Sequence, residues 1–452
     1  MSCQRCWSIG WKKEAGKPAN TAVLDTGLLR TLTAYEDCLQ SCPRPNRDFK
    51  SLRLRQSEIY EMIRDPEAIE EFLNNIRKWV RNVAIPNEDR VAELHEVPQD
   101  LVVEMREMGY FGWGVPENFG GSDLTTEELV LAAFELSYCA IAFRAYVGSN
   151  TGIGGAALVA DGTPEQKSKY LPGIASGKII GCFALTEPDA GSEATALKTK
   201  AVRDGDTYVL NGTKCFITNA PISNLFTVFA RTNPDDPGHG GISAFLVERG
   251  TSGLDTGKPY KMMGQAGSLV SEVYFNDCRV PAENLMGGKE GVGFRTAMKA
   301  LNRQRIHLAA LSTGPAMRML DEAVEYAMTR KQFGQPIGEF QLVQAMIADS
   351  QTDISAARAL ILETARDRDL GKDIVLNASI CKYFATEMCG RVADRAVQIF
   401  GGSGYVADYS NIERFYRDVR LFRLYEGTSQ IHQLNIAKHT KRRFSETGTI
   451  RP

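Results

Sequence analysis

A single carboxylate stands between an aromatic residue and a glycine near the end of the chain. Glu426 is flanked by Leu424, Tyr425 and, further on, Ile431. Apolar neighbours remove water from a carboxylate, which disfavours its charged form, raises its pKa and makes it a stronger base near neutral pH. Gly427 has no Cβ, so a ligand could approach the main chain and its N–H groups could donate hydrogen bonds. The pattern indicates a catalytic base. A surface glutamate at a helix start, capped by the following threonine or serine, would explain the same residues.

Two further segments could bind a polar ring or an extended substrate. Thr186 and Ser192 flank an Ala-Gly turn after an apolar run, and their hydroxyls and the N–H groups of the turn could hydrogen-bond such a ligand. Phe216 and Thr218 lie two residues apart, which predicts that they share one face of a strand and offer a ring and a hydroxyl there. The first segment also suits a helix cap or a plain turn, and the ring of the second also suits a core position.

Two segments end predicted helices with residues suited to phosphate. Arg330 and Phe333 belong to Arg-Lys-Gln-Phe-Gly, whose cations could complement helix carbonyls or meet phosphates. Gln398 precedes Gly401 and Gly402, which could form a C-cap or let a pyrophosphate approach the backbone. No predicted strand precedes them, so this is not the dinucleotide fingerprint. We recognise no metal motif, P-loop or nucleophile elbow in the sequence.

The spacing of apolar residues divides the chain into parts that must position these groups. Residues 56–176 have helical periodicity, residues 177–290 have short strands with a hairpin at Asp204-Gly205, and residues 291–445 return to helical periodicity. Residues 1–55 lack a sustained pattern and are predicted to be a flexible N-terminal extension. The sequence therefore predicts an α+β multidomain fold with an N-terminal helical domain, a middle β domain and a C-terminal four-helix bundle.

The four predicted bundle helices span residues 298–311, 320–328, 342–365 and 380–399. Pro315 is predicted to kink or break the first of them. Amphipathic helices in such a bundle could also form an oligomer surface.

Composition excludes some classes of function. The chain has 452 residues, 43% hydrophobic and 24% charged residues, and a net charge of −2. This balance offers no field suited to nucleic acid or an anionic membrane, and no apolar run is long enough to span a bilayer. The first residues lack the apolar core of a secretion signal, so we expect an intracellular protein, and the scattered cysteines indicate reduced, buried thiols. Cys3, Cys6, Cys38 and Cys42 could be drawn as a zinc site, but their spacing is loose and we expect no metal.

Five segments, taken together and in order, resemble the acyl-CoA dehydrogenase family. They are residues 186–192, 216–219, 330–334, 398–402 and 425–430, and the resemblance extends from about residue 56 to 443. It implies an FAD-dependent enzyme that converts an acyl-CoA to the trans-2-enoyl-CoA and passes electrons to electron-transfer flavoprotein. It also implies a homotetramer, built as a dimer of dimers, with FAD held between subunits. The expected compartment is the cytoplasm in a bacterium or the mitochondrial matrix in a eukaryote.

The resemblance also implies a role for each candidate residue. Flavin-site residues would be Thr186, Phe216, Thr218, Thr428 and Gln430. Residues at the adenosine-diphosphate part of a neighbouring subunit's FAD would be Arg330, Phe333, Gln398 and Gly402, and Gly401 is a further cofactor-binding residue. Substrate-site residues would be Ser192, Arg305, Tyr425 and Gly427. Many relatives have tryptophan where Phe216 stands, and phenylalanine keeps the ring face but lacks the indole donor.

Glu426 aligns with the catalytic base of the family. In the implied mechanism it removes the α-proton of the thioester while a hydride passes from the β-carbon to the flavin. The thioester carbonyl would be stabilised by the Glu426 N–H and a ribityl hydroxyl. Some relatives carry their base on the helix that here contains Gln304. Because Gln304 cannot ionise, Glu426 is the sole candidate.

The hints about the substrate disagree. Gly154, Gly155 and Ala156 align where relatives close the acyl pocket, so a long or branched acyl group would fit. Arg144 aligns near the position where glutaryl-CoA dehydrogenases hold a carboxylate, which keeps a dicarboxylyl-CoA as an alternative. We rank a simple aliphatic acyl-CoA first, because a lone arginine is more often a surface or ion-pair residue. The rival functions are an acyl-CoA oxidase, whose usual extra C-terminal domain is not recognised, and a flavin-binding protein without turnover, which would not need Glu426.

Overall fold

The computed structural model of the chain describes residues 63–450, so the predicted N-terminal extension and its four cysteines lie outside the described residues. The first helices are α1 (Pro66–Trp79), α2 (Glu88–Leu94), α3 (Gln99–Glu107), α4 (Thr126–Leu136), α5 (Ile141–Thr151), α6 (Ile153–Asp161) and α7 (Pro164–Ala175). Their starts follow capping rules: the Asp65 side chain accepts the first N–H groups of α1, and Thr125 and Thr163 form capping boxes at α4 and α7.

A seven-stranded sheet follows these helices. Its strands are β1 (Gly181–Ala184), β2 (Lys200–Asp204), β3 (Thr207–Thr218), β4 (Leu225–Arg231), β5 (Ile242–Glu248), β6 (Leu254–Thr256) and β7 (Val270–Pro281). The spatial order is β1-β4-β2-β3-β7-β6, with β5 paired to β4. The predicted hairpin joins β2 to β3, where Asp204 pairs with Thr207 and Gly205 takes the positive φ of 60° that the turn requires.

Helices return in the last third of the chain. They are α8 (Gly293–Thr329), α9 (Gln341–Asp369), α10 (Val375–Phe400), α11 (Ile412–Val419) and α12 (Ser429–Thr447), and a small hairpin of β8 (Lys331–Gln332) and β9 (Gln335–Pro336) separates α8 from α9. The predicted order of a helical, a β and a helical part is confirmed. No helix within residues 63–450 is long and apolar enough to cross a bilayer.

The predicted membership of the four-helix bundle is wrong in one respect. The stretches at 298–311 and 320–328 form one continuous helix through Pro315, and the fourth long helix is α12. A proline inside a helix costs about 3 kcal/mol. Every residue from 304 to 316 is buried, and each fully buried leucine or isoleucine contributes roughly 1.5–3 kcal/mol, so packing outweighs the missing hydrogen bond.

Helix α8 is central because it packs on α4, α9 and α10 in one apolar core and also reaches the sheet. Gly314 allows the approach to the end of α4, since a Cβ there would lie 2.1 Å from Ser137 Oγ. The sheet reaches α5 through Asn219 at the end of β3, whose Nδ2 donates to the carbonyls of Ala145 and Tyr146 at 3.1 Å. These contacts fix α5, β3 and α8 around one cavity.

Candidate active site

A cavity of about 470 Å³ lies where α5, α8, the sheet and the segment before α12 meet. Of the residues predicted as a site, those lining the cavity are Thr186, Ser192, Phe216, Thr218, Arg305, Tyr425, Glu426 and Gly427. Segments that are far apart in sequence are therefore brought together as the motifs suggested.

The turn that carries Glu426 is built from an uncommon backbone. Glu426 has a φ of 54° and Gly427 a φ of 94°, and Thr428 then caps α12 by accepting the Ile431 N–H at 3.3 Å. Thr428 therefore caps the helix as the alternative interpretation expected, and Glu426 nevertheless lines the cavity. Leu424, which we expected to shield the carboxylate, is 49% exposed and does not line the cavity, whereas Ile431 does.

Two buried donors hold the carbonyl groups of this turn. Lys382 Nζ donates to the Gly427 carbonyl at 2.7 Å, and His432 Nε2 lies 3.2 Å from the Glu426 carbonyl. Neither residue was identified from the sequence. The signal for Lys382 was a lone lysine among the apolar positions Ala378, Cys381 and Ala385 of α10, all of which are buried.

Electrostatics favour a protonatable Glu426. Its Oε2 is buried and has no hydrogen-bond partner among the described residues. Burial raises the pKa of Glu426, while the positive charges of Arg144, Lys382 and Arg305 oppose that rise. A carboxylate in this state is suited to exchange a proton with a ligand in the cavity.

The opposite wall is fixed by a buried ion pair. Lys214 Nζ donates to Glu187 Oε1 at 2.8 Å and to the Leu185 carbonyl at 3.1 Å. The Cys215 N–H donates to the Thr186 carbonyl at 2.9 Å. These bonds hold Thr186 beside the end of β3.

Phe216 departs from the predicted strand geometry. The pairing of β3 with β7 is irregular between Lys214 and Ile217, and Phe216 has a φ of 58°. A bulge therefore lies next to Phe216, yet Phe216 and Thr218 both line the cavity with the buried Ile217 between them, which agrees with their expected position on one face of the strand. The ring is 68% exposed, so the core alternative is wrong.

The cavity has the chemistry of a site for a flat, polar ring such as a flavin. An exposed phenylalanine ring and two threonine hydroxyls line one wall. Four buried polar atoms on residues of the lining have no hydrogen-bond partner within residues 63–450: Arg144 Nε, Arg305 Nε, Tyr425 Oη and Glu426 Oε2. Buried polar atoms are normally paired, so these atoms make the cavity suited to bind a polar ligand.

The remaining predicted FAD residues do not line this cavity. Arg330, Phe333, Gln398, Gly401, Gly402 and Gln430 are exposed, and Thr428 is partly buried at the helix cap. The β8–β9 turn places Phe333 and Gly334 at φ values of 50° and 85°, and Phe333 is 94% exposed. Within one chain, these residues lie outside the cavity lining.

The small residues that border the acyl side differ from those expected. Gly155 packs on the Asn150 carbonyl and Ala156 lies in an apolar core, and neither lines the cavity. Ala145 and Gly148 of α5 line it instead, because these positions of α5, not α6, face β3. A Cβ at Gly148 would lie 3.1 Å from Arg144 Cζ, so the guanidinium lies over this glycine.

Gln265 is another lining residue that the sequence did not indicate. It has a φ of 58°, its N–H donates to the Asp418 carboxylate, and its Nε2 donates to the Asp418 carbonyl at 3.2 Å. Burial raises the pKa of Asp418 to about 6. Only the three-dimensional pairing of this loop with α11 could reveal the contact. No cluster of residues suited to hold a metal ion occurs in the described part of the chain.

Comparison with known proteins gives matches along nearly all of the described chain. Profiles of the acyl-CoA dehydrogenase N-terminal, middle and C-terminal domains match residues 66–178, 182–278 and 291–441. The acryloyl-CoA reductase (NADH) of Anaerotignum propionicum is 42% identical over 377 residues, which cover 83% of this chain and 95% of that protein. The caffeyl-CoA reductase-Etf complex subunit CarC of Acetobacterium woodii is 41% identical, covering 77% and 91%. The FAD complex of PigA superposes with a TM-score of 0.80 at 29% identity, covering 83% and 98%.

Proposed function

Because the chain belongs to the acyl-CoA dehydrogenase family and is therefore an oxidoreductase, we propose that it is an FAD-dependent acyl-CoA dehydrogenase with Glu426 as its base. The observation that carries the proposal is the unpaired Oε2 of Glu426 in a cavity that also holds Phe216, Thr186 and Thr218. A flavin-binding protein without turnover would have no use for such a carboxylate.

Different residues of the chain have different roles in this reaction. Glu426 takes the α-proton of the acyl thioester, and the N–H groups of its turn donate to the thioester oxygen, where negative charge develops. FAD, when bound, would accept the hydride from the β-carbon. Thr186, Phe216 and Thr218 would hold the flavin ring. Exclusion of water from the cavity strengthens each of these electrostatic interactions.

FAD shared between subunits accounts for the surface residues outside the cavity. We assign Arg330, Phe333, Gln398, Gly401, Gly402, Thr428 and Gln430 to the FAD site completed in a homotetramer, a dimer of dimers. The β8–β9 turn supports this assignment, since a phenylalanine at a φ of 50° is uncommon and its ring is 94% exposed in the isolated chain. Leu342, Tyr405 and Tyr409, each at least 75% exposed, are further apolar residues that a partner would cover.

The substrate ranked first is a simple aliphatic acyl-CoA, which would give the enzyme a place in fatty acid metabolism. Ala145 and Gly148 border the cavity with small side chains and leave room for the acyl group. The similarity to an acryloyl-CoA reductase supports a short acyl chain and shows that relatives can work in the reductive direction. In that direction Glu426 would donate the α-proton, and its raised pKa suits an acid as well as a base.

A dicarboxylyl-CoA is the second candidate, and one observation favours it. The sequence predicts a surface or ion-paired Arg144, but this residue is 8% exposed, lines the cavity and has no salt bridge among the described residues. Its Nε also has no hydrogen-bond partner there. A buried, unpaired guanidinium is suited to bind a terminal carboxylate.

The electron acceptor is proposed to be electron-transfer flavoprotein. Similarity to the CarC subunit of a caffeyl-CoA reductase-Etf complex supports this choice. An acyl-CoA oxidase would instead pass electrons to O₂. Reoxidation of the reduced holoenzyme by air at a rate that supports turnover would favour the oxidase.

The test is anaerobic bleaching of the bound flavin by a panel of straight, branched and dicarboxylic acyl-CoAs. Glu426→Gln should retain FAD and lower the bleaching rate by about 10²–10⁴-fold, the usual contribution of a general base. Glu71→Gln, on the exposed face of α1, is the matched control and should bleach like the wild type. Unchanged bleaching in Glu426→Gln would disprove the assignment of the base.

Arg144→Met separates the two substrate classes. If glutaryl-CoA bleaches the flavin faster than butyryl-CoA and Arg144→Met reverses that order, the dicarboxylyl-CoA is the substrate. If butyryl-CoA is faster in the wild type, the aliphatic ranking stands.

A further inference from the structure

Lys382 and His432 approach the base turn from two different helices. Lys382 of α10 donates to the Gly427 carbonyl at 2.7 Å, and His432 of α12 lies 3.2 Å from the Glu426 carbonyl. A carbonyl only accepts hydrogen bonds, so Nε2 of His432 carries the ring proton. Both side chains are 0% exposed. Consecutive carbonyl groups of the turn are thus held by separate buried donors.

The backbone of this turn needs such support. A φ of 54° is uncommon for a residue with a side chain, and conformations of this kind persist where the surroundings impose them. His432 also leaves no room for a side chain at position 427, because a Cβ on Gly427 would lie 2.9 Å from the His432 Nε2. Rotation of either peptide would move the Glu426 carboxylate and the N–H groups of the turn relative to the cavity, which Glu426 and Gly427 line.

We propose that Lys382 and His432 are positioning residues that lock the Glu426–Gly427 turn with its carboxylate and N–H groups aimed at the thioester. The inference rests on the proposed role of Glu426 as the base. It assigns no direct contact with the substrate to either residue.

The two residues differ in charge, and this difference makes the proposal testable. Arg144 of α5, Arg305 of α8 and Lys382 of α10 are the cations that act on Glu426, and each favours its charged form. Lys382 is itself acted on by Glu426, Arg305 and Glu387, and burial lowers its pKa to about 8.

His432 is acted on by Arg305 and Lys382 and donates to the base turn, and burial lowers its pKa to about 3. It is therefore neutral when the enzyme works. Lys382 combines a hydrogen bond with a charge, whereas His432 supplies a hydrogen bond alone.

The experiment compares variants that keep or remove the donor. Lys382→Met and His432→Leu remove it, whereas Lys382→Arg and His432→Gln keep an N–H group of similar reach. The rate of anaerobic flavin bleaching by butyryl-CoA is measured against concentration and pH in holoenzyme of normal FAD content. A misplacement of about 1 Å costs roughly a hundredfold, so we expect that loss in the limiting rate of each donor-free variant, with half-saturation changed less than about threefold.

The pH profile and the conservative variants distinguish positioning from packing. Lys382→Met should move the acid limb of the rate profile to higher pH, because Glu426 loses a cation, whereas His432→Leu should leave the limb in place. His432→Gln should recover most of the rate lost in His432→Leu. Equal losses in these two variants, or an unmoved acid limb in Lys382→Met, would overturn the proposal.

A second measurement does not depend on turnover. Amide hydrogen exchange of the segment 424–431 in the holoenzyme should be faster in Lys382→Met and His432→Leu and close to wild type in His432→Gln. Unchanged exchange in both donor-free variants would contradict the proposal. If no acyl-CoA bleaches the wild-type flavin, the proposed function fails, and the exchange result still decides whether these residues hold the turn.

Discussion

Two glutamates near the cavity, the buried Glu187 and the half-buried Glu426, have opposite environments. Glu187, next to Thr186, accepts hydrogen bonds from the Lys198 N–H, the Thr199 N–H and hydroxyl, and Lys214 Nζ. Glu426 is surrounded by cations, but its Oε2 has no hydrogen-bond partner among the described residues. The first carboxylate is fully paired, and the second is left free to react.

The pKa shifts of the two groups follow from this difference. Burial alone would raise the pKa of Glu187, but the charge of Lys214 and the hydrogen bonds outweigh it, and the pKa lies below its usual value. For Glu426, burial prevails over the more distant charges, and the pKa is raised. Burial therefore does not make a carboxylate reactive by itself; the absence of hydrogen bonds to its charged form does.

The two buried lysines, Lys214 and Lys382, also differ in their hydrogen-bond partners. Burial lowers the pKa of both Lys214 and Lys382 to about 8. Lys214 forms an ion pair with the Glu187 carboxylate at 2.8 Å. Lys382 donates its hydrogen bond to the Gly427 carbonyl and acts on Glu426 only through its charge. One lysine fixes a wall, and the other holds and tunes the base.

The largest effect on stability is expected at the paired site. Glu187→Gln should destabilise the protein by about 3–5 kcal/mol, because the charge of Lys214 is left buried without compensation. Chemical unfolding of the holoenzyme at neutral pH measures the loss. The double variant Glu187→Gln with Lys214→Met should be more stable than Glu187→Gln alone, and a less stable double variant would refute the pairing argument.

A smaller effect is expected on the pH dependence of the reaction. Arg144→Met removes one cation that favours the charged form of Glu426, so the pKa of the base should rise further. The acid limb of flavin bleaching should move to higher pH, with no comparable change in stability. Arg366→Met, at an ion pair with Glu127 outside the cavity, is the control and should leave the limb in place.

The smallest effect is expected in the stability of Glu426→Gln. A group whose folded pKa is raised stabilises most below its unfolded pKa, here 4.5, and loses that contribution as pH rises through the folded pKa. Glutamine does not ionise, so the stability of the Glu426→Gln variant relative to the wild type should increase with pH above 4.5.

Glu187→Gln should show the opposite trend. The contribution of a group with a lowered pKa is present above its unfolded pKa and lost as pH falls, so the deficit should shrink toward acid pH. Melting temperatures over a pH series measure both trends. Parallel curves for the two variants would contradict the comparison.

The fold and the centre of the site could be predicted because their signals are local. Helical and strand periodicity predicted the order of the elements, and the hairpin at Asp204-Gly205 was predicted from its turn residues. The prediction failed at Pro315, where long-range packing on α4, α9 and α10 keeps one helix intact. Local propensity carries no information on that packing.

The sequence by itself determined the family, the helical, β and helical order and the one ionisable candidate for the base. Only the tertiary structure decided that Arg144 is buried and unpaired, that Phe216 stands on a bulge, and that Gly148 borders the cavity. The same holds for Lys382 and His432, which meet the base turn from α10 and α12. Motifs fix residue types within short segments, whereas burial and pairing depend on segments that folding brings together from across the chain.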